Sequence, residues 1–302
     1  MNAILMVGHG SRDAEGNDQV RAFIEGIKPM VNHEVLVETC FLEFESPNIH
    51  QGIEACVKKG ATSVAVVPIM LLPAGHSKIH IPAAIDEAKE SYPHVNFTYG
   101  RPIGIHEAAL DILNCRLEEI GENTDAPEED TAVILLGRGG SDPDANSDLY
   151  KITRLLWEKL NYKIIEPAFM GVTDPLIAEG VERCIKLGAK KVIILPYFLF
   201  TGILINRLEK LVDDFQEQYP AHTFQLAQYF GFHPNLQTII LDRIEEVLEG
   251  EVKMNCDTCQ YRLDAMEHID HHHHHDHDHG HGHHHHHHHH HEHTHAGEEQ
   301  KV

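Results

Sequence analysis

The feature that most constrains the fold of this chain is an internal repeat. Residues 4–17, ILMVGHGSRDAEGN, and residues 133–146, VILLGRGGSDPDAN, are each an apolar run that breaks into a glycine-rich turn and then an acidic, helix-starting segment. They match at Gly8/Gly137, Gly10/Gly139, Asp13/Asp142 and Asn17/Asn146, 129 residues apart. With a one-residue shift the correspondence continues, 41–72 over 169–200, pairing Phe41/Phe169, Pro47/Pro175, Gly52/Gly180, Cys56/Cys184, Gly60/Gly188 and Pro68/Pro196. A duplicated chain must solve one packing problem twice, and each copy has the size of a small α/β domain.

Within a copy, short β-branched runs alternate with helical patterns. In the first, strands are expected at 3–7, 34–41, 63–68 and 95–99, and helices at 14–30, 47–59, 79–91 and 106–119. Ser46 and Asp174 read as N-caps with Pro47 and Pro175 at the first helical position. Ile49, Ile53 and Cys56, like Ile177, Val181 and Cys184, follow at helical spacing, and Gly60 and Gly188 fit the stop. Alternation with short connections implies a parallel sheet covered on both faces. The expected architecture is α/β, with two tandem domains, each a parallel four-stranded sheet flanked by helices. Their bounds are read as 1–120 and 132–250, joined by an acidic linker at 121–131 and followed by a tail at 251–302.

The differences between the copies point to chemistry. His9 is replaced by Arg138, Glu43 by Gly171 and His76 by Leu204. In open parallel sheets ligands bind beyond the carboxyl ends of the strands, and His9, Glu43 and His76 follow the first three strands of copy one. Two neutral imidazoles and a carboxylate can hold a divalent ion with positions left open, and can accept protons near neutral pH. Loss of one site after duplication explains all three changes together. The blander reading has the histidines bonding loop backbone and Glu43 capping a helix. His80 is a secondary candidate. The turns Gly8–Ser11 and Gly137–Gly140, with Gly10 and Ser11 foremost, can cradle an anion at a helix start. Arg12, Arg101, Arg138 and Arg207 can pair with carboxylates, Arg138 being favoured because it stands in the place of His9.

A formal charge of −23 leaves no basic footprint for nucleic acid and favours attraction of cations. No apolar run is long enough to span a bilayer and no signal peptide is apparent, so a cytoplasmic protein without membrane partners is expected. Six cysteines in 302 residues do not read as a disulfide framework, and Cys40, Cys56, Cys115 and Cys184 are expected to be small buried hydrophobes.

Beyond residue 250 the composition changes. Cys256 and Cys259, in MNCDTC, have soft-metal spacing, yet two thiolates admit half a zinc site, a redox pair, part of an iron–sulfur site or a free pair. The stretch from His271 to His295 holds 19 of the 29 histidines. A histidine run can be an expression tag; here Asp, Glu, Gly and Thr interrupt it, which favours an encoded segment that stores or delivers divalent metal.

At GHGSR (8–12), PAGHS (73–77) and GRGGSDPDAN (137–146) the chain resembles the sirohydrochlorin chelatases, class II chelatases that insert a divalent metal into a tetrapyrrole without ATP. The resemblance covers residues 1 to about 250, and MNCDTC with the histidine-rich segment is similar to the long CbiX-type cobaltochelatases. It implies two flavodoxin-like domains facing each other across a cleft. It also implies His9 and His76 as the active-site histidines, with Glu43 as their acidic partner. The activity implied is insertion of Co²⁺, the substrate metal, into sirohydrochlorin in cobalamin biosynthesis, with an iron–sulfur centre at MxCxxC. Gly140, where copy one has Ser11, departs from the repeat. The alternatives are a ferrochelatase of sirohaem synthesis, and a non-catalytic cobalt or nickel storage or chaperone protein. A nucleotide-binding module lacks its motifs.

Overall fold

A computed structural model describes residues 1–250, and of His76 the backbone alone. The first half runs β1 (Asn2–Gly8), α1 (Ala14–Ile27), β2 (Leu36–Phe41), α2 (Ile49–Lys58), β3 (Ser63–Ile69), α3 (Ile81–Ser91), β4 (Asn96–Tyr99) and α4 (Glu107–Glu119). The second repeats it as β5 (Thr131–Gly137), α5 (Pro143–Lys159), β6 (Ile164–Phe169), α6 (Ile177–Lys186), β7 (Lys191–Pro196), α7 (Ile203–Gln218), β8 (Thr223–Leu226) and α8 (Pro234–Glu249). Each half forms a four-stranded parallel sheet, ordered β2-β1-β3-β4 and β6-β5-β7-β8. Beyond their first residue the central strands are apolar because helices cover both faces.

The two-residue strand period divides the core. Ala3, Leu5 and Val7 face outward onto α2 and α3. Ile4 and Met6 face inward, into a core that also takes Val133 and Leu135 of β5 and the apolar faces of α1, α4, α5 and α8. The inner core is therefore one body shared by both halves. The last helices are exchanged within it: α8 packs on β3 of the first sheet, and α4 on β7 of the second. Nothing in the repeat pattern announced that exchange.

Two expectations need correction. Pro47 and Pro175 do not open their helices. Their carbonyls accept from Phe41 N (2.8 Å) and Phe169 N (2.9 Å), prolonging the sheet, and both X–Pro peptides are cis. The α2 cap is instead Asn48, whose side chain accepts from Gln51 N at 2.9 Å while Gln51 accepts from Asn48 N at 2.9 Å. The helix expected at 79–91 is preceded by a single wide turn, His76–His80, with α-helix beginning at Ile81. Cys40, Cys56 and Cys184 are buried free thiols, but Cys115 is only partly buried.

Candidate active site

The site lies where both sheets end. Past β1 and β2 the backbone pairing continues for two residues, Leu42 N to Gly8 O (2.9 Å) and Glu43 N to His9 O (3.1 Å). This sets the two side chains next to each other. His9 Nδ1 stands 3.6 Å from Glu43 Oε1 and 3.0 Å from the Gly10 carbonyl. Gly10 makes the approach practicable: its φ is +87°, and a Cβ there would sit 1.7 Å from the Glu43 carbonyl oxygen. The second half repeats the arrangement with Met170 N to Gly137 O, Gly171 N to Arg138 O and a φ of +80° at Gly139, but without the acid.

Polar side chains lock each turn. The buried Asn17 accepts from Ser11 N and donates to Ser11 O, both at 2.8 Å, and donates to Glu45 Oε2. Asn146 donates to Gly140 O at 2.8 Å. The repeat-identical asparagines, unassigned from sequence, are thus turn locks. Ser11 Oγ accepts from Asp13 N at 3.0 Å, a bond Gly140 cannot supply, so the two turns differ as the Ser11/Gly140 departure suggests.

Between the halves lies a cleft in two compartments. The larger, about 700 Å³, lies between the segment around 69–80 of the first half and the Gly137–Asp142 turn of the second. Its walls are largely apolar, including Leu71, Leu72, Ile79, Tyr197 and Leu199. The smaller, about 380 Å³, lies between the Gly10–Arg12 turn and residues 198–205. His9 and Arg138 line both, and Arg138 Nη1 is 3.1 Å from His9 Nε2. The repeat-equivalent residues therefore meet at the partition.

The remaining candidates separate cleanly. The backbone of His76 begins the wide turn at the edge of the larger compartment, a turn held by Tyr99 Oη donating to Ser77 O (2.7 Å); its side chain lies outside what is described. Among the described side chains, no three His, Cys, Asp or Glu residues converge as a metal-ion cluster. His80 lines the larger compartment. Arg12 stacks on Phe44, 4.8 Å from the ring centroid, at the smaller one. Arg101 does not serve the cleft: it is bound to Glu246 by two hydrogen bonds, at 2.9 and 2.7 Å. Arg207 is exposed on α7. Cys256, Cys259 and the stretch 271–295 lie outside the described residues.

Sequence reasoning missed Lys78 and the residues at positive φ. Lys78 Nζ reaches across the cleft to Asp142 (2.8 Å) and Asp144 (3.1 Å), and with that amine beside it the Asp142 carboxyl is held below its ordinary range. Phe44 and Val172, in equivalent places, have φ of 61° and 73° and present exposed apolar side chains to the two compartments. Lysine next to an acidic N-terminus of the other copy was the available signal for the first; the second had none.

No helix among the described residues is long and apolar enough to cross a membrane. The CbiX family model matches the chain twice, over residues 3–120 and 132–247. A sirohydrochlorin cobaltochelatase of Priestia megaterium is 73% identical over 272 residues, covering 90% of this chain and 88% of the relative. A sirohydrochlorin ferrochelatase of Bacillus subtilis is 40% identical, covering 81% and 91%. The crystal structure of the sirohydrochlorin chelatase SirB from Bacillus subtilis subspecies spizizenii, in complex with cobalt, superposes with a TM-score of 0.71 at 37% identity, covering 83% of this chain and 97% of that one. With both halves matched and the two-sheet fold shared, the chain belongs to the CbiX family of chelatases.

Proposed function

We propose that this chain is a sirohydrochlorin cobaltochelatase, inserting Co²⁺ into sirohydrochlorin without ATP to give cobalt-sirohydrochlorin for cobalamin biosynthesis. The observation that carries the reading is the 73% identity, over nearly the whole of both chains, to a cobaltochelatase.

The reaction replaces two pyrrole N–H protons by one divalent ion, so the protein must hold the ring, present the metal and receive protons. The largely apolar walls of the larger compartment suit the flat face of a macrocycle. The ring's carboxylates would meet Arg138, Arg12 and the turn at Gly10 and Ser11. We assign His9 and His76 to the metal and Glu43 or an imidazole to the departing protons. Glu43 at 3.6 Å from His9 Nδ1 supports this division, because a carboxylate there can orient the ring and relay its proton. The second half keeps the turn without the trio, so one active site per chain follows. We place the enzyme in the cytoplasm, where its buried free thiols would stay reduced, and assign metal storage or delivery to the histidine-rich segment. For Cys256 and Cys259 it is the resemblance at MNCDTC, with a spacing that allows it, that speaks for an iron–sulfur centre.

The test is an anaerobic absorbance assay of sirohydrochlorin with Co²⁺ or Fe²⁺, using the intact protein and the His9→Ala/His76→Ala double variant. Cobalt insertion lost in the double variant is expected. Faster insertion of iron would move the chain to the ferrochelatases, and no acceleration with either metal would leave a storage protein. A double variant that kept the wild-type rate would overturn the site.

A further inference from the structure

The contact between His9 and Arg138 has a chemical consequence for metal loading. A guanidinium donates and cannot accept, so at 3.1 Å it is His9 Nε2 that accepts from Arg138 Nη1. The ring proton then sits on Nδ1, facing the Gly10 carbonyl and Glu43. A neutral imidazole has one in-plane lone pair, and here Arg138 occupies it. A metal ion can take His9 through Nε2 only after Arg138 leaves.

Arg138 is placed to leave. Its backbone is anchored, with its carbonyl accepting from Gly171 N and the neighbouring Gly139 packed on Gly171 O, but its side chain is exposed and borders both compartments. Its partner is a single ring nitrogen. A carboxylate offers the guanidinium two charge-assisted bonds and displaces a single neutral acceptor.

We propose that Arg138 is a substrate-operated latch on His9. It holds the imidazole lone pair until a carboxylate of the bound macrocycle draws the guanidinium away, so the macrocycle and the metal bind cooperatively. Binding free energies are reciprocal: whatever the macrocycle contributes to metal affinity, the metal contributes to macrocycle affinity. The latch also keeps the site from capturing a metal ion with no macrocycle to receive it. Arg138 is a positioning residue in this account, and the inference rests on the chelatase reading above.

Two measurements test it on the full chain. In the first, initial rates are measured over a grid of sirohydrochlorin and Co²⁺, with free Co²⁺ set by a chelator buffer so that the histidine-rich segment is equally loaded throughout. In the wild type the KM for Co²⁺ should fall roughly tenfold as sirohydrochlorin rises, within the usual range of site-to-site coupling. In Arg138→Ala the KM for Co²⁺ should already be low at scarce sirohydrochlorin and independent of it, while the KM for sirohydrochlorin rises; Arg138→Lys should restore part of the dependence. General damage would raise both constants, and an undiminished coupling in Arg138→Ala overturns the latch. The second measurement needs no turnover. Imidazole ¹⁵N spectra, with His9 assigned by difference from His9→Ala, should show an unprotonated Nε2 in the wild type and loss of that fixed tautomer in Arg138→Ala. A protonated Nε2 in the wild type refutes the latch whatever the enzyme's activity, whereas a wild type without cobalt or iron insertion refutes the functional reading alone.

Discussion

Arg116 and Arg243, 127 residues apart in the repeat, perform one task from opposite halves of the molecule. Arg116 of α4 donates to the Tyr229 and Phe230 carbonyls of the second half at 2.8 and 2.7 Å. Arg243 of α8 donates to the Pro102 and Ile103 carbonyls of the first at 3.2 and 2.7 Å. Each exchanged helix is thereby fastened to the loop after the other half's last strand. The two halves are thereby anchored to each other through both exchanged helices.

The two anchors differ in burial, which sets their expected effects. Arg243 is 2% exposed and also pairs with the buried Glu246 at 2.9 Å. Arg243→Ala would leave that carboxylate short of a partner and two carbonyls unsatisfied, a loss of about 3 kcal/mol. A melting temperature roughly 6–12 °C lower is expected by calorimetry. Arg116→Ala, at a site water can reach, should cost less than half as much.

Gly10→Ala and Gly139→Ala compare the two turns. Each Cβ would strike a carbonyl oxygen, of Glu43 at 1.7 Å and of Gly171 at 2.0 Å, at a φ that alanine disfavours. Both should be destabilised by at least about 2 kcal/mol. Only Gly10→Ala displaces the candidate acid, so at a temperature where both variants are folded its chelatase rate should be the lower. Equal rates would argue against a role for Glu43.

Lys78→Ala removes the ion pairs that tie the His76–His80 turn to the start of α5. The pairs are partly exposed, so stability should change by less than about 1 kcal/mol. The turn carrying His76 would lose its tether across the larger compartment. The expected signature in steady-state assays is a raised KM for sirohydrochlorin with a nearly unchanged melting temperature.

Stability should also depend on pH through the helix-capping histidines. His106 Nδ1 accepts from Ala108 N at 3.1 Å and Nε2 lies 3.1 Å from Asp242, while His233 Nδ1 accepts from Asn235 N. Burial, with nearby arginine charge, lowers both pKa values below the ordinary one, outweighing Asp242 at His106. A depressed folded pKa means that stability is fully present above the unfolded value, about 6.5, and is lost as pH falls from there through the folded value. His106→Asn/His233→Asn, which keeps capping oxygens, should therefore melt with a shallower decline than wild type between pH 7 and pH 5. Parallel declines would show that these caps are not titrating.

Much of this molecule was legible in the sequence because duplication and periodicity are local. Matching glycine turns, β-branched runs and helical spacing located all the elements expected in the first half, and the residues lost from the second copy singled out His9, Glu43 and His76, of which the structure sets His9 and Glu43 side by side. Where the reading slipped, a longer-range bond had won. Pro47 continues the sheet instead of starting a helix because its carbonyl is taken by Phe41, and Arg101 serves Glu246 of a helix 145 residues away. Tertiary structure alone decided that α4 and α8 change places, that the cleft has two compartments, and that Arg138 closes on His9. Those outcomes depend on how two similar sheets meet face to face. Each copy's sequence specifies which surface is apolar, but the partner that covers it is chosen only when both halves are folded together.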